Sequence, residues 1–183
     1  EKFSRMSCEM GNYASCGNLA HILLKERNDP ASAAVAARKA CDKNGASGCN
    51  NLAEARRRLE RMDEAYEAIK KACSLGLDVS CANRAMYEIE RGDLSAAKSF
   101  ANRALKKNPS RSSALRRLGH AYLFDGDFDS AIQHYGRALD AAKESDKGQS
   151  VKEDQDTPEL DLIRDELTTL SAKYPARKAD VER

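Results

Sequence analysis

Small and apolar positions recur along this chain at three- and four-residue steps, the spacing that lines one face of an α-helix. Leu118, Gly119, Ala121 and Tyr122, followed by Ala131, Tyr135, Ala138 and Leu139, show the pattern in one stretch. The stretches are themselves periodic. Ala33, Ala65, Ala97 and Ala131 follow one another at steps of 32, 32 and 34 residues. Ala40-Cys41 returns at the same steps as Ala72-Cys73, Ala104-Leu105 and Ala138-Leu139, and Cys16, Cys49, Cys81 and Leu115 run at steps of 33, 32 and 34. Three anchors moving together mark a helix-turn-helix repeat of about 34 residues.

Turn residues agree with that period. Gly92-Asp93 and Gly126-Asp127 fall inside repeats and Asn108-Pro109 falls between two. The pattern predicts helix pairs at 13–26 with 30–43, 46–60 with 62–75, 78–91 with 94–107, and 112–125 with 128–143. Residues 1–10 read as the second helix of an incomplete earlier repeat. The expected fold is all-α, a solenoid of antiparallel helix pairs with about four repeats over residues 1–142. Residues 143–157 are polar and lack periodicity, as a flexible linker would. Pro158 can open a C-terminal helix within 158–183, whose stripe of Leu160, Ile163, Leu167 and Leu170 would cap the end of the solenoid.

The six cysteines fall into three pairs with one spacing: Cys8 with Cys16, Cys41 with Cys49, and Cys73 with Cys81. Each pair straddles a predicted inter-repeat turn that holds a glycine, respectively Gly11, Gly45 and Gly76, and a left-handed glycine can end a helix there. The reversal would bring the two Cα atoms within the ~4.4–6.8 Å that a disulfide needs. Buried free thiols are the alternative, because cysteine packs well as a small apolar residue. That alternative does not explain why both partners vanish together at the fourth junction, where Leu105 and Leu115 stand in their places. A shared zinc ion would need four ligands converging at ~2.3 Å, whereas successive pairs lie a repeat apart. No Cys-x-x-Cys-His haem signature is present. Each bridge would close a nine-residue loop, worth about 2.5 kcal/mol in the chain-entropy picture. A protein relying on such bridges belongs in an oxidising compartment.

Composition narrows the rest. Aromatic residues are only 5% of the 183 and charged residues 33%, which suits helices with narrow contacts rather than a sheet. A formal charge of +2 suggests no nucleic-acid partner. No apolar run approaches the ~20 residues that span a bilayer. The chain opens at Glu1 and reads as a mature or trimmed form, so a missing signal peptide does not argue against export.

The repeat also resembles known families. Leu118 to Leu139, LGHAYLFDGDFDSAIQHYGRAL, looks like a full tetratricopeptide repeat, and Gly92 to Pro109, GDLSAAKSFANRALKKNP, like the second helix and closing turn of another. Lys39 to Ala55, KACDKNGASGCNNLAEA, is similar to the Sel-one-like repeats of the Helicobacter cysteine-rich protein family. That resemblance implies disulfide-bonded pairs and a bacterial periplasmic, secreted or cell-surface location. The same family has been linked with penicillin binding. Ser95 and Lys98 have the Ser-x-x-Lys spacing by which penicillin-binding enzymes set a nucleophile against a base, but no Ser-Asp-Asn or Lys-Thr-Gly partner occurs. A β-lactam-binding or cell-wall-active enzyme is therefore the runner-up. His21, His120 and His134 are too dispersed for a triad. No catalytic residue, metal or cofactor is expected.

Solenoids of this kind bind partners on a concave face lined by the first helix of each pair. The stripe one residue after the core-facing cysteine gives Asn50, Glu54, Arg57 and Arg58, then Ala82, Met86, Ile89 and Glu90, then Arg116, His120, Leu123 and Phe124. Such a groove would hold a protein or peptide, its arginines gripping carboxylates by their two-pronged donor set. The alternative is a solvated helix face, with Leu123 and Phe124 packing inside their own repeat. Asn83 and Arg117 resemble parts of the carboxylate clamp of some tetratricopeptide proteins, but Val79 and Ser113 stand where lysines would be wanted. The expected role is a non-enzymatic scaffold; sequence does not reach the identity of the partner or the oligomeric state.

Overall fold

The computed structural model describes residues 1–147 together with 165 and 168. Among them the chain forms nine α-helices and no strand: α1 (Lys2–Glu9), α2 (Tyr13–Lys25), α3 (Pro30–Asp42), α4 (Ala46–Arg58), α5 (Met62–Ser74), α6 (Asp78–Glu90), α7 (Leu94–Lys107), α8 (Ser112–Phe124) and α9 (Phe128–Lys147). The fold is an all-α helical repeat solenoid. Helix ends fall within two residues of the periodicity except at α9, which continues four residues past its expected end at 143. The expected helix within 158–183, and the rest of the expected linker, lie outside the described residues.

Local chemistry places the turns. Inside the four complete repeats, the residue two places before each second helix has a positive φ: Asn28 at 49°, Glu60 at 59°, Gly92 at 80° and Gly126 at 82°. Three of these are followed by an aspartate whose carboxylate caps the helix. Asp29 accepts from the Ser32 N–H at 3.0 Å, Asp93 from Ala96 at 2.9 Å, and Asp127 from Ser130 at 3.1 Å. Pro30 occupies the first turn of α3, where its missing N–H costs nothing.

Between repeats, Gly11 and Gly76 take the left-handed conformation at 88° and 89°. The second junction differs from expectation. Asn44, at 59°, is its left-handed residue, while Gly45 has φ −74° and begins α4. Glycine at 45 serves close approach instead, since a Cβ there would lie 2.9 Å from the Ala40 carbonyl oxygen.

The helices group into two compact units. Glu1–Arg84 holds α1 to α5 and the start of α6; the second begins at Ala85. In the first unit the core is largely alanine, with Ala20, Ala33, Ala37, Ala40, Ala53, Ala65 and Ala72 all buried. Helices meet so tightly there that a Cβ on Gly48 would lie 2.4 Å from the Ala40 Cβ. The second unit also buries alanines, and its larger side chains are clustered: Leu115 and Tyr135 with Ala131 and Ala138 form one cluster, and Leu118 with Ala85 and Ala101 another. Gly119 accepts the face of the Tyr135 ring, 2.9 Å from where its Cβ would be.

Candidate functional site: the repeat junctions and the first-helix stripe

Each cysteine pair joins the last turn of one repeat to the first turn of the next. Cys8 and Cys16, Cys41 and Cys49, and Cys73 and Cys81 have Cα separations of 4.7, 4.5 and 4.6 Å, with sulfurs at bonding distance. All six are buried. At the fourth junction Leu115 is buried and Leu105 packs against the same cluster, so an aliphatic contact replaces the cysteine pair. Both solutions close the same gap with different chemistry.

Repeats of the first unit are also joined by polar side chains. Asn51 Nδ2 on α4 donates to the Gly17 carbonyl of α2 at 3.0 Å. Arg58 Nη1 donates to the Leu24 carbonyl at 3.0 Å and to Asn28 Oδ1 at 3.1 Å. On α6, Ser80 Oγ and Asn83 Nδ2 both donate to Asn50 Oδ1 at 3.0 Å. Lys71 Nζ does the same between second helices, reaching the Cys41 carbonyl at 2.8 Å. Such bonds satisfy buried polar groups only when neighbouring repeats keep their register.

That network changes the meaning of the expected stripe. Asn50 is an acceptor between repeats. Glu54 receives both Arg57, through Nε and Nη2 at 3.0 Å, and Arg58, through Nε at 2.7 Å. Burial acts to raise the Glu54 carboxyl, but the hydrogen bonds from Arg57 and Arg58 outweigh it and hold the group below its ordinary range. Arg58 is turned into the α2–α3 end. Only Arg57 of these four is an exposed side chain.

In the second unit the stripe divides as sharply. Arg116, expected to line the partner groove, is only 6% exposed. Leu123 packs against the Leu115–Tyr135 cluster, inside its own repeat rather than in a groove. Met86 is half-buried. His120 sets its ring edge-on to Tyr135 at 5.8 Å and touches Phe124 at 6.5 Å, and Phe124 itself stands 60% exposed. Of the twelve stripe positions, Arg57, Glu90 and Phe124 are the exposed ones.

Ser95 and Lys98 sit on α7, and their surroundings do not form a nucleophile–base pair. The Lys98 ammonium lies 4.2 Å from the Tyr122 ring centroid and is ion-paired with Asp125; no hydrogen bond joins it to Ser95. Tyr122 in turn stacks on His134 at 5.3 Å. Burial, and then the nearby charge of Arg137, depress the His134 pKa below its ordinary value.

Family models for the tetratricopeptide repeat match residues 46–75 and 88–154. Together they take in most of the helices whose pairing is described above. The chain is a tetratricopeptide-like repeat protein. Solved structures agree on this fold. BtubC from P. vanneervenii superposes with a TM-score of 0.67 at 20% identity, covering 97% of this chain and 79% of its own. MamA gives 0.63 at 18% identity over 78% of this chain and 85% of its own. The Cut9–Hcn1 hetero-tetramer of the APC/C gives 0.68 at 17% identity, over 77% of this chain but 28% of the other. At these identities the likeness concerns the fold alone. No curated protein matches the sequence. Tetratricopeptide repeats point to protein partners, and the fold is typically that of a non-enzymatic scaffold. Among the described residues no helix is long and apolar enough to cross a membrane.

Sequence reasoning missed the inter-repeat bonds of Asn51, Arg58 and Lys71, because periodicity locates a face but not a hydrogen-bond partner some thirty residues away. It also missed Arg61. That residue stands in register with the capping Asp29, Asp93 and Asp127, a substitution visible in the aligned repeats.

Proposed function

We propose that this tetratricopeptide-like chain is an interaction scaffold of the bacterial cell envelope, periplasmic or at the cell surface, that holds a protein or peptide partner. The observation that carries the location is the recurrence of a cysteine pair at disulfide distance at three successive junctions. Bridges closing short loops act chiefly by restricting the unfolded chain and persist where thiols are not kept reduced. The resemblance of Lys39 to Ala55 to the Helicobacter cysteine-rich proteins supports the same compartment. Among the fold neighbours, Cut9 was solved within a hetero-tetramer, an example of this architecture engaged with another chain.

For the partner surface, the reading now rests on fewer residues than the full stripe. Arg57, exposed though paired with Glu54 through Nε and Nη2, would exchange or share that carboxylate with one of the partner, and Phe124 with His120 offers an aromatic contact from the second unit. Asn50 and Arg58 bond across repeats, Glu54 holds Arg57 and Arg58 on its own helix, and Arg116 is buried.

Capture from envelope extract, followed by mass spectrometry, tests the role. A specific partner retained by the native chain, and weakened by Arg57→Glu or Phe124→Ser, is the expected result. Undiminished capture by both variants would remove the stripe as the contact surface. Thiol counting under denaturing, non-reducing conditions tests the compartment. Protein taken from its native location is expected to show no free thiol, and six would overturn the envelope assignment.

A further inference from the structure

The turn end of the second repeat carries a charge arrangement that the fold does not account for. Three arginines from different elements converge on one carboxylate. Arg38 of α3 lies 3.7 Å from Glu64 through Nη2, Arg56 of α4 lies 3.3 Å away through Nε, and Arg61 of the α4–α5 turn pairs with the other Glu64 oxygen. Glu60 and Asp63, the adjacent acidic residues, make no ion pair with these guanidiniums. Glu64 is thus the one carboxylate paired with the three guanidiniums, with Glu60 and Asp63 near it in the chain.

Two features show that Glu64 does not satisfy the cluster. The Arg56 side chain is only 13% exposed, and its Nε–H is buried without a hydrogen bond, the approach to Glu64 being outside bonding geometry. A buried guanidinium donor left without an acceptor is uncommon and unfavourable. The second feature is the start of α5. Asp29, Asp93 and Asp127 each place a carboxylate on the N–H three residues ahead. At α5 the equivalent residue is Arg61, and the helix has no side-chain cap. The first turn of this thirteen-residue helix carries Asp63 and Glu64, but its N-cap position holds a guanidinium where the other repeats place a capping carboxylate. Compensation of the α4 C-terminus explains arginine at 56 to 58, but not at 38 or 61.

We propose that the Arg38–Arg56–Arg61 cluster at the N-terminus of α5 binds a carboxylate of an acidic peptide segment, which supplies in trans the cap that the other repeats carry in their own sequence. The incoming oxygens would accept from guanidinium N–H groups and from the free amides of the first turn of α5, a charge-assisted arrangement that favours planar two-oxygen acceptors. The site lies at the turn end of the repeat, away from the first-helix stripe. Burial above all, and then the charges of Arg61 and Arg38 against the opposing effect of Glu64, lowers the Arg56 pKa, and an arriving anion relieves the repulsion among the arginines.

The inference rests on reading the chain as a protein-binding scaffold, but its test does not require the cellular partner. Full-length chain, labelled for arginine Nε–H and backbone amide NMR, is titrated with a hexaglutamate peptide and separately with inorganic phosphate. The expected result is saturable movement of the Arg56 Nε–H and the amides of Met62 to Glu64 by the peptide. Arg61→Asp restores the acid found in the other repeats and is expected to weaken binding about tenfold or more while keeping the fold. Arg38→Gln, a change at a half-exposed side chain, is expected to weaken it in the same direction. No saturable movement, unchanged affinity in Arg61→Asp, or a response to phosphate without one to peptide would each overturn the proposal. A failed titration leaves the scaffold reading standing, and a failed capture from envelope extract leaves the titration interpretable.

Discussion

The first unit, residues 1–84, and the second, from Ala85 onward, solve one problem with different materials. Stacked helix pairs must be held at each junction or the apolar faces between repeats will slip. In the first unit the closest approaches are made by alanine and glycine, which bury little area per residue but let backbones approach closely, with Leu19, Leu23, Leu24, Leu52 and Ile69 buried beside them. Little hydrophobic free energy is available from such contacts, at roughly 25 cal/mol per Å² of apolar surface removed from water. The cysteine pairs and the polar bonds from Asn51, Arg58 and Lys71 occupy the same seams. The second unit has no cysteine; it too buries alanines, among them Ala97, Ala101, Ala104, Ala121, Ala131 and Ala138, and Leu115, Leu118 and Tyr135 complete its interior. What separates the units is the lacing itself: cysteine pairs close the junctions of the first, and Leu105 and Leu115 stand in their places at the fourth.

That contrast can be broken most forcefully at the cysteines. Replacing all six by alanine is expected to destabilise the first unit by up to about 7 kcal/mol, taking roughly 2.5 kcal/mol per loop. Amide hydrogen exchange should show the loss in α2 to α5 and leave α8 and α9 protected. Equal loss in both units would mean that the junctions do not act locally.

Leu115→Ala probes the opposite arrangement. Truncating this buried side chain is expected to cost about 2–5 kcal/mol and to expose α8 and α9, measured by the same exchange experiment. A cost no larger than that of a surface change would show that aliphatic contact does not replace the cysteine pair.

Smaller effects sharpen the comparison. Gly48→Ala forces a methyl against Ala40 and Cys41 and is expected to destabilise the first unit by about 1–3 kcal/mol in chemical denaturation. Asp93→Ala removes the carboxylate that caps α7, with an expected cost of about 1 kcal/mol confined to the second unit.

Acidification should also separate the units. His134 has a folded-state pKa below its ordinary value of 6.5, chiefly through burial, so the unfolded chain takes up its proton first. Stability that is complete above about pH 6.5 is then lost as the pH falls from there toward the depressed folded value. His134→Gln should flatten this decline in the second unit, followed as the denaturation midpoint against pH. At lower pH the caps respond. Side-chain and backbone hydrogen bonds from Ser32 hold Asp29 below its usual 3.8, and those from Ser130 do the same for Asp127. Their contribution is present above that value and disappears as pH drops through the lowered folded pKa.

Much of this molecule follows from residue order alone. The steps between Ala33, Ala65, Ala97 and Ala131 set the repeat, and Gly92-Asp93 and Gly126-Asp127 set turns because a left-handed residue followed by a carboxylate is a local device. The paired spacing of the cysteines likewise needs nothing beyond a chain reversal to bring them together. Tertiary structure alone decided what the polar residues do. Arg57, Arg58 and Arg116 look equivalent in a helical projection, yet one is exposed, one reaches the Leu24 carbonyl, and one is buried. Helical periodicity specifies direction around a single axis, whereas burial and bonding depend on which neighbouring helix lies there and how closely it approaches. The convergence of Arg38, Arg56 and Arg61 on Glu64 is decided at the same level, because those residues come from three different elements.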